Sequence, residues 1–203
     1  MKKYAVLHEP GDIVTLAGTR FVVLDVERRG SLPDSLFLLA LESVGASEFG
    51  SSNNYAESDL KKAVDKWLED MGKRGLDNAK LIPREIDLTT LDGSGCYGKL
   101  SVKAAPLTLD EAREYADIIP NAERWCWLAT GWSGPSKSDG DLALYVISNG
   151  DWYGNNCSDS YGIRPALKAP SILFEDSEAG LDLSKIPTDD LLQEIHRRLA
   201  EKA

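Results

Sequence analysis

An α+β fold is predicted for this chain by three observations. Apolar, β-branched or aromatic runs of strand length recur between turn signals, at residues 19–27, 124–130 and 142–147. Two capping boxes, Asn54 with Glu57 and Thr108 with Glu111, announce two helices. A compact Gly-Ile-Arg-Pro-Ala-Leu segment at 162–167 closes the main domain. The expected architecture is two helices with small antiparallel sheets over residues 1–170, then a linker and C-terminal helix over 171–203.

In chain order, 13–16 and 19–27 form a hairpin about Ala17-Gly18. Residues 28–34 are a polar turn containing Pro33, and 35–42 a buried third strand. The first helix spans 54–71, capped by Asn54. Leu60, Ala63, Val64, Trp67 and Leu68 form its core-facing stripe, which makes Trp67 a core residue. Residues 81–91 are extended. Residues 92–98, DGSGCYG, lack the spacing and Lys-Ser/Thr ending of a phosphate loop and read as a turn. The second helix runs from Thr108 to about Ala116. In 124–130, Trp125 and Trp127 share one face of a strand, with Cys126 and Leu128 on the other. A loop at 131–141 leads to the strand 142–147, and a polar loop at 149–161 follows. Residues 163–167 are the last strand, with Pro165 placing it at an edge or ending it early. From 171 to 185 the chain is irregular and acidic. Pro187 to Asp190 opens a terminal helix with the stripe Leu191, Leu192, Ile195 and Leu199, a candidate assembly element.

The chain has 203 residues, 42% hydrophobic and 28% charged, enough for a sizeable core. Its formal net charge of -10 argues against a general binder of nucleic acid or anionic membranes. Cys96, Cys126 and Cys157 suit neither a disulfide framework nor a zinc site. Cys126 reads as a small buried hydrophobe, and Cys157 as an exposed loop thiol. The N-terminus has no signal-peptide pattern, and no run approaches a spanning helix. Cytoplasmic synthesis is expected, with a phage particle or cell surface reached by another route. His8 and His196 lie far in sequence from any candidate nucleophile, so no Ser/His or Cys/His device is supported. Asp139, Asp141, Asp151 and Asp159 have no spacing that specifies a metal site. No cofactor is implied.

The most informative stretch is 148–167, SNGDWYGNNCSDSYGIRPAL. Asn, Ser and Gly offer adaptable hydrogen bonding, and Tyr and Trp offer contact area at low entropic cost, as in evolved binding surfaces. With AGTRFVVLDVE, NNYAESDLKKAVDKWL, PLTLDEAREYA and RWCWLAT, the ending YGIRPAL resembles a family of uncharacterised domains from gut bacteria and their phages. The resemblance covers about 12–168. That family in turn resembles the C-type-lectin-like fold of formylglycine-generating enzymes and of the variable proteins of diversity-generating retroelements. The resemblance implies a closing strand that pairs near the N-terminal hairpin and a binding face between the late strands. In such variable proteins, adenine-containing codons diversify positions before the closing strand and do not yield Lys, Glu, Gln or Met from Asn. Residues 138–165 contain none of those four. A diversified loop and an ordinary Gly-rich surface loop both account for this.

The resemblance nominates one ligand-binding surface from two loops. The first supplies Trp132, Ser133, Ser136, Ser138 and Asp139. The second supplies Asp151, Trp152, Tyr153, Asn155, Asn156, Ser158, Asp159 and Tyr161. Arg164 is expected to be structural, pairing with a buried carboxylate or with backbone carbonyls. The expected function is non-enzymatic recognition of a protein or glycan receptor on a cell surface. The alternatives are a formylglycine-generating-type enzyme and a structural or assembly module.

Overall fold

Four successive apolar residues, Phe21 to Leu24, leave a strand no polar face, so both sides must be covered. All four are buried. Phe21 and Val23 join one core cluster, and Val22 and Leu24 join a second. The computed structural model describes residues 8–30 and 32–174, with Thr188 and Leu192 beyond them. Over these residues the chain is mixed α+β, mostly strands in small sheets, with two α-helices.

The first sheet has the order β1-β2-β3-β12-β7: Ile13–Leu16, Thr19–Arg29, Leu32–Ala40, Pro165–Pro170 and Ala104–Pro106. The second has the order β10-β9-β8-β11-β4: Trp152–Asn156, Leu142–Val146, Cys126–Gly131, Ser160–Gly162 and Ala46–Glu48. Strands β5 (Arg84–Asp87) and β6 (Lys99–Val102) form a separate ribbon. The pairings are antiparallel except that β11 runs parallel to β8 through Gly162 and Cys126, so the sheets are not wholly antiparallel.

Helix α1 (Asp59–Lys73) begins five residues later than its sequence pattern suggests. Asn54 instead caps a single 3-10 turn, Tyr55–Glu57, which buries Tyr55. Ser58 caps the helix by accepting a 2.9 Å bond from Lys61 N. Leu60, Val64 and Met71 are buried, and Trp67 packs partly buried against the same cluster, 6.3 Å from Phe21. Helix α2 (Leu109–Glu114) has the expected reciprocal box of Thr108 and Glu111. Glu111 also pairs with Arg84, which is buried and donates to the carbonyls of Ala105 and Pro106. Burial pulls the Arg84 pKa below its usual value, while Glu111 opposes the shift.

Several boundaries differ from the sequence reading. The β2–β3 strands continue through the expected turn, with Pro33 opposite Arg28. Only 84–87 of the extended segment 81–91 is a strand. Pro165 lies at neither an edge nor an early end, because β12 sits between β3 and β7. Proline is tolerated as the first residue of that strand, where it faces Pro106. Past Pro170, a 3-10 turn at Ser171–Phe174 buries Phe174 edge-on to His8 at 5.8 Å. The terminal helix and His196 lie outside the described residues, except for Thr188 and Leu192, both helical. Among the described residues, no helix is long and apolar enough to cross a membrane.

The β1–β2 turn has positive φ at both central residues, 46° at Ala17 and 76° at Gly18. That is the backbone of a type I′ hairpin turn, which favours Asn-Gly. An alanine in this region carries a steric penalty of about 1 kcal/mol. Ala17→Asn is expected to raise the urea unfolding midpoint, with a gain of up to about 1 kcal/mol. An unchanged or lower midpoint would show that the turn is not strained.

Candidate functional site

The segment 149–161, polar enough to read as a loop, is largely sheet. Trp152 to Asn156 pair with Val146 to Leu142 as an antiparallel hairpin. Asn and Gly are poor strand formers on propensity, but pairing with β9 satisfies their backbone. At its tight end, Ile147 N donates to Asp151 O, and Asp151 N donates to Asn149 Oδ1. Alternation then decides which side chains share a face. Tyr153 and Asn155 point one way, and Trp152, Gly154 and Asn156 the other.

On the first face the hairpin completes an aromatic array. Tyr145 stacks on Trp125 at 5.5 Å and on Tyr161 at 4.5 Å, and Tyr153 lies 6.2 Å from Tyr145. Trp127 meets Tyr161 edge-on at 4.6 Å and is buried. Its indole donates to Ser47 O, so it anchors the array from below. Tyr153 and Trp125 remain 50% and 47% exposed, so the array ends in open rings. Asn155 Nδ2 donates to the Tyr161 hydroxyl, placing an amide beside the rings.

On the second face, the Arg113 guanidinium lies over the Trp152 ring at 5.2 Å. Asp151 accepts from Asn149 Nδ2 at 2.8 Å. Behind Asp151 and Gly150 opens a cavity of about 300 Å³, bounded by α2 and the segment that follows it.

The two nominated loops do not form one surface. The loop 132–141 leaves the hairpin where Leu142 faces Asn156, whereas Asp151 and Trp152 lie where Val146 faces Trp152. Those rows are separated by four residues, about 14 Å at roughly 3.4 Å each. Ser136, Ser138 and Asp139 are exposed at the far end, beside a turn held by the Lys137–Asp92 ion pair. Asn156, Ser158 and Asp159 belong to that end. Asn156 Nδ2 donates to Asp141, and its Oδ1 accepts from the backbone and hydroxyl of Ser158. Trp132 and Ser133 serve packing. Trp132 is half-buried against Gly154, and Ser133 is buried with its carbonyl accepting from Asn53 Nδ2. Of the nominated residues, Tyr153, Asn155 and Tyr161 share the aromatic array. Asp151 and Trp152 lie together with Arg113 on the opposite face.

Trp125 and Tyr145 were not nominated. The Trp125/Trp127 alternation pointed to a common aromatic face, but only the β9 register brings Tyr145 onto it. Cys157, expected to be exposed, is 1% exposed, and burial, with Asp141 nearby, pushes its thiol up to about 12. Its backbone is held there, with Cys157 N donating to Asp141 O and Cys157 O accepting from Phe49 N and Gly50 N. Cys126 is buried as expected, and burial raises it to about 11. Arg164 bonds backbone carbonyls rather than a carboxylate, Ala40 O at 2.8 Å and Pro120 O at 3.0 Å. Among the described residues, no three His, Cys, Asp or Glu side chains gather to share an ion.

No family model, no curated protein and no solved structure matches this chain.

Two outcomes check this geometry. A thiol reagent applied to the native protein at mildly alkaline pH should modify Cys96, which is exposed, well before Cys126 and Cys157. All three should react in denaturant, and rapid native labelling of Cys157 would contradict its placement. Separately, a Cβ at Gly154 would sit 2.2 Å from the Trp132 ring. Gly154→Ala should therefore displace that indole and cost about 1–3 kcal/mol of stability by urea titration. A neutral Gly154→Ala would mean that Trp132 does not lie on β10.

Proposed function

We propose that this protein is a non-enzymatic recognition module. Its contact surface is the array of Trp125, Tyr145, Tyr153 and Tyr161 with Asn155. The carrying observation is the pair of open rings, Trp125 stacked on the buried Tyr145 and Tyr153 tilted against it. Rigid rings supply contact area at low conformational cost, and an adjacent amide supplies direction. The partner class is a protein or glycan receptor on a cell surface.

The finer fold reading is a C-type-lectin-like domain. Support comes from the closing strand β12, which pairs with β3 directly after the N-terminal hairpin, and from the late strands that carry the array. In the retroelement reading, the exposed positions Ser138, Asp139, Asp151, Tyr153 and Ser158 are the diversified ones. A near-copy of the coding DNA for 138–167, differing only at adenines and beside a reverse transcriptase gene, is the expected genomic sign. Absence of such a repeat leaves a fixed binder. Against the enzymatic alternative, Cys126 and Cys157 are buried with raised pKa values, the opposite of an activated thiolate.

Binding to immobilised glycan panels and to intact bacterial cells should fall at least about tenfold in Trp125→Ala and Tyr153→Ala. Their unfolding midpoints should stay near that of the parent, because both rings are open to solvent. Trp152→Ala, on the opposite face of β10, should retain binding. If the Trp125/Tyr153 double variant binds like the parent, the array is not the contact surface.

A further inference from the structure

The cavity behind the hairpin is a second feature, separate from the aromatic array. Its walls are apolar, formed by Leu107, Ala112, Ile119, Leu128 and Val146, with Arg164 among them. Leu128, Val146 and Leu107 belong to the second core cluster, whereas Tyr145 and Tyr161 pack with the first. The cavity therefore lies mainly on the other side of β8 and β9 from the array, with Trp127 bordering both. Its volume of about 300 Å³ falls at the small end of the range for small-molecule sites.

Arg164 is the unusual member of that wall. It is 7% exposed and donates from Nε to Ala40 O and from Nη1 to Pro120 O. Nη2 is buried and has no hydrogen-bond partner among the described residues. A guanidinium carries five N–H groups and keeps its proton in proteins. Two of the five are accounted for, and both go to neutral carbonyls. Among the described residues, no carboxylate is bonded to it. Glu42 attracts it from a distance, but its carboxylate lies 3.8 Å from Arg20 and is half exposed. The neighbouring Cys126 stays a neutral thiol, donating to Arg124 O. A buried charge without a counter-charge is costly unless something completes it.

We propose that this cavity is a binding site for a small monocarboxylate with an apolar body. Arg164 receives the carboxylate, and the apolar walls receive the body. The planar fork of arginine suits a carboxylate, and a charge-assisted bond there would satisfy donors that the described residues leave open. The rim narrows the class further. Asp151 lies at the mouth with Asn121 and Asn149, so a ligand with a second negative charge at its outer end would meet a carboxylate. One acid group at the inner end and a neutral apolar remainder fit both ends. This site stands whether or not the aromatic array binds a receptor.

The test titrates the full chain with straight-chain monocarboxylates and 3-phenylpropanoate, by calorimetry and by the shift in unfolding temperature. The same titrations use the matched primary amide and the matched amine. At least one acid is expected to bind with millimolar affinity or better and to raise the unfolding temperature. Its amide should bind at least about tenfold more weakly, and its amine weaker still. Ala116→Phe places a ring at the exposed mouth and should abolish acid binding without lowering the unliganded unfolding temperature. Arg164→Lys should weaken acid binding at least about tenfold. Should that variant not fold, Ala116→Phe and the acid–amide comparison decide the matter. Equal affinity for acid and amide, no acid bound at millimolar concentration, or full binding by Ala116→Phe would each overturn the proposal.

Discussion

Strand β12 is inserted between β3 and β7, and the rest of the described fold depends on that pairing. Ala166 to Pro170 pair with Leu39 to Ser35, and Pro165 to Leu167 pair with Pro106 to Ala104. The strand from the end of the domain is thus central to a sheet begun by its first residues. Just before it, Ile163 N donates to Gly45 O, and Val44 N donates to Ile163 O. Arg164 then ties β3 to the segment after α2 through the carbonyls of Ala40 and Pro120. Such long-range closure is entropically expensive, and it fixes where β11, β10 and β9 must lie.

Given that closure, the second sheet has little freedom. Gly162 N reaches Trp125 O, and a Cβ at Gly162 would meet Cys126 Sγ and Ser43 Oγ at 2.8 Å. The glycine of the closing motif is therefore a close-approach residue that lets β11 lie beside β8. That approach brings Tyr161 against Trp127 and Tyr145. The aromatic array thus follows from backbone pairing, and its exposed rings rest on neighbours that cannot move aside.

Asn53 holds the far end of the hairpin. It is 1% exposed, donates to Ser133 O and Leu142 O, and accepts from the Tyr97 hydroxyl. Gly131 leaves it the space, since a Cβ there would lie 2.9 Å from the Asn53 amide. One buried amide satisfies the Ser133 carbonyl and gives Leu142 O a second donor beside Trp132 N. Loop 132–141 is thereby fixed away from the aromatic array, which is why the two nominated loops part company. In the sequence Asn53 is one of two adjacent asparagines, and nothing local marks it.

The sequence by itself determined the α+β class, the N-terminal hairpin, the face of α1, the capping box of α2 and the burial of Cys126, and it left the partner of Arg164 open between a carboxylate and backbone carbonyls. Each rests on a period, a cap or a run that local sterics and apolar burial impose over a few residues. Only the tertiary structure decided the rest. The helix starts at Asp59 with Ser58 as its cap, and a separate turn that buries Tyr55 precedes it. The Asn- and Gly-rich stretch at 152–156 became a strand because β9 supplies the hydrogen bonds that propensity disfavours. Pro165 opens a central strand as its first residue, a position that tolerates the missing N–H, and β3 pairs only from Ala166 onward. The aromatic array and the Arg164 cavity join residues from strands distant in sequence. Their geometry depends on register across the second sheet, which no local pattern of residues carries.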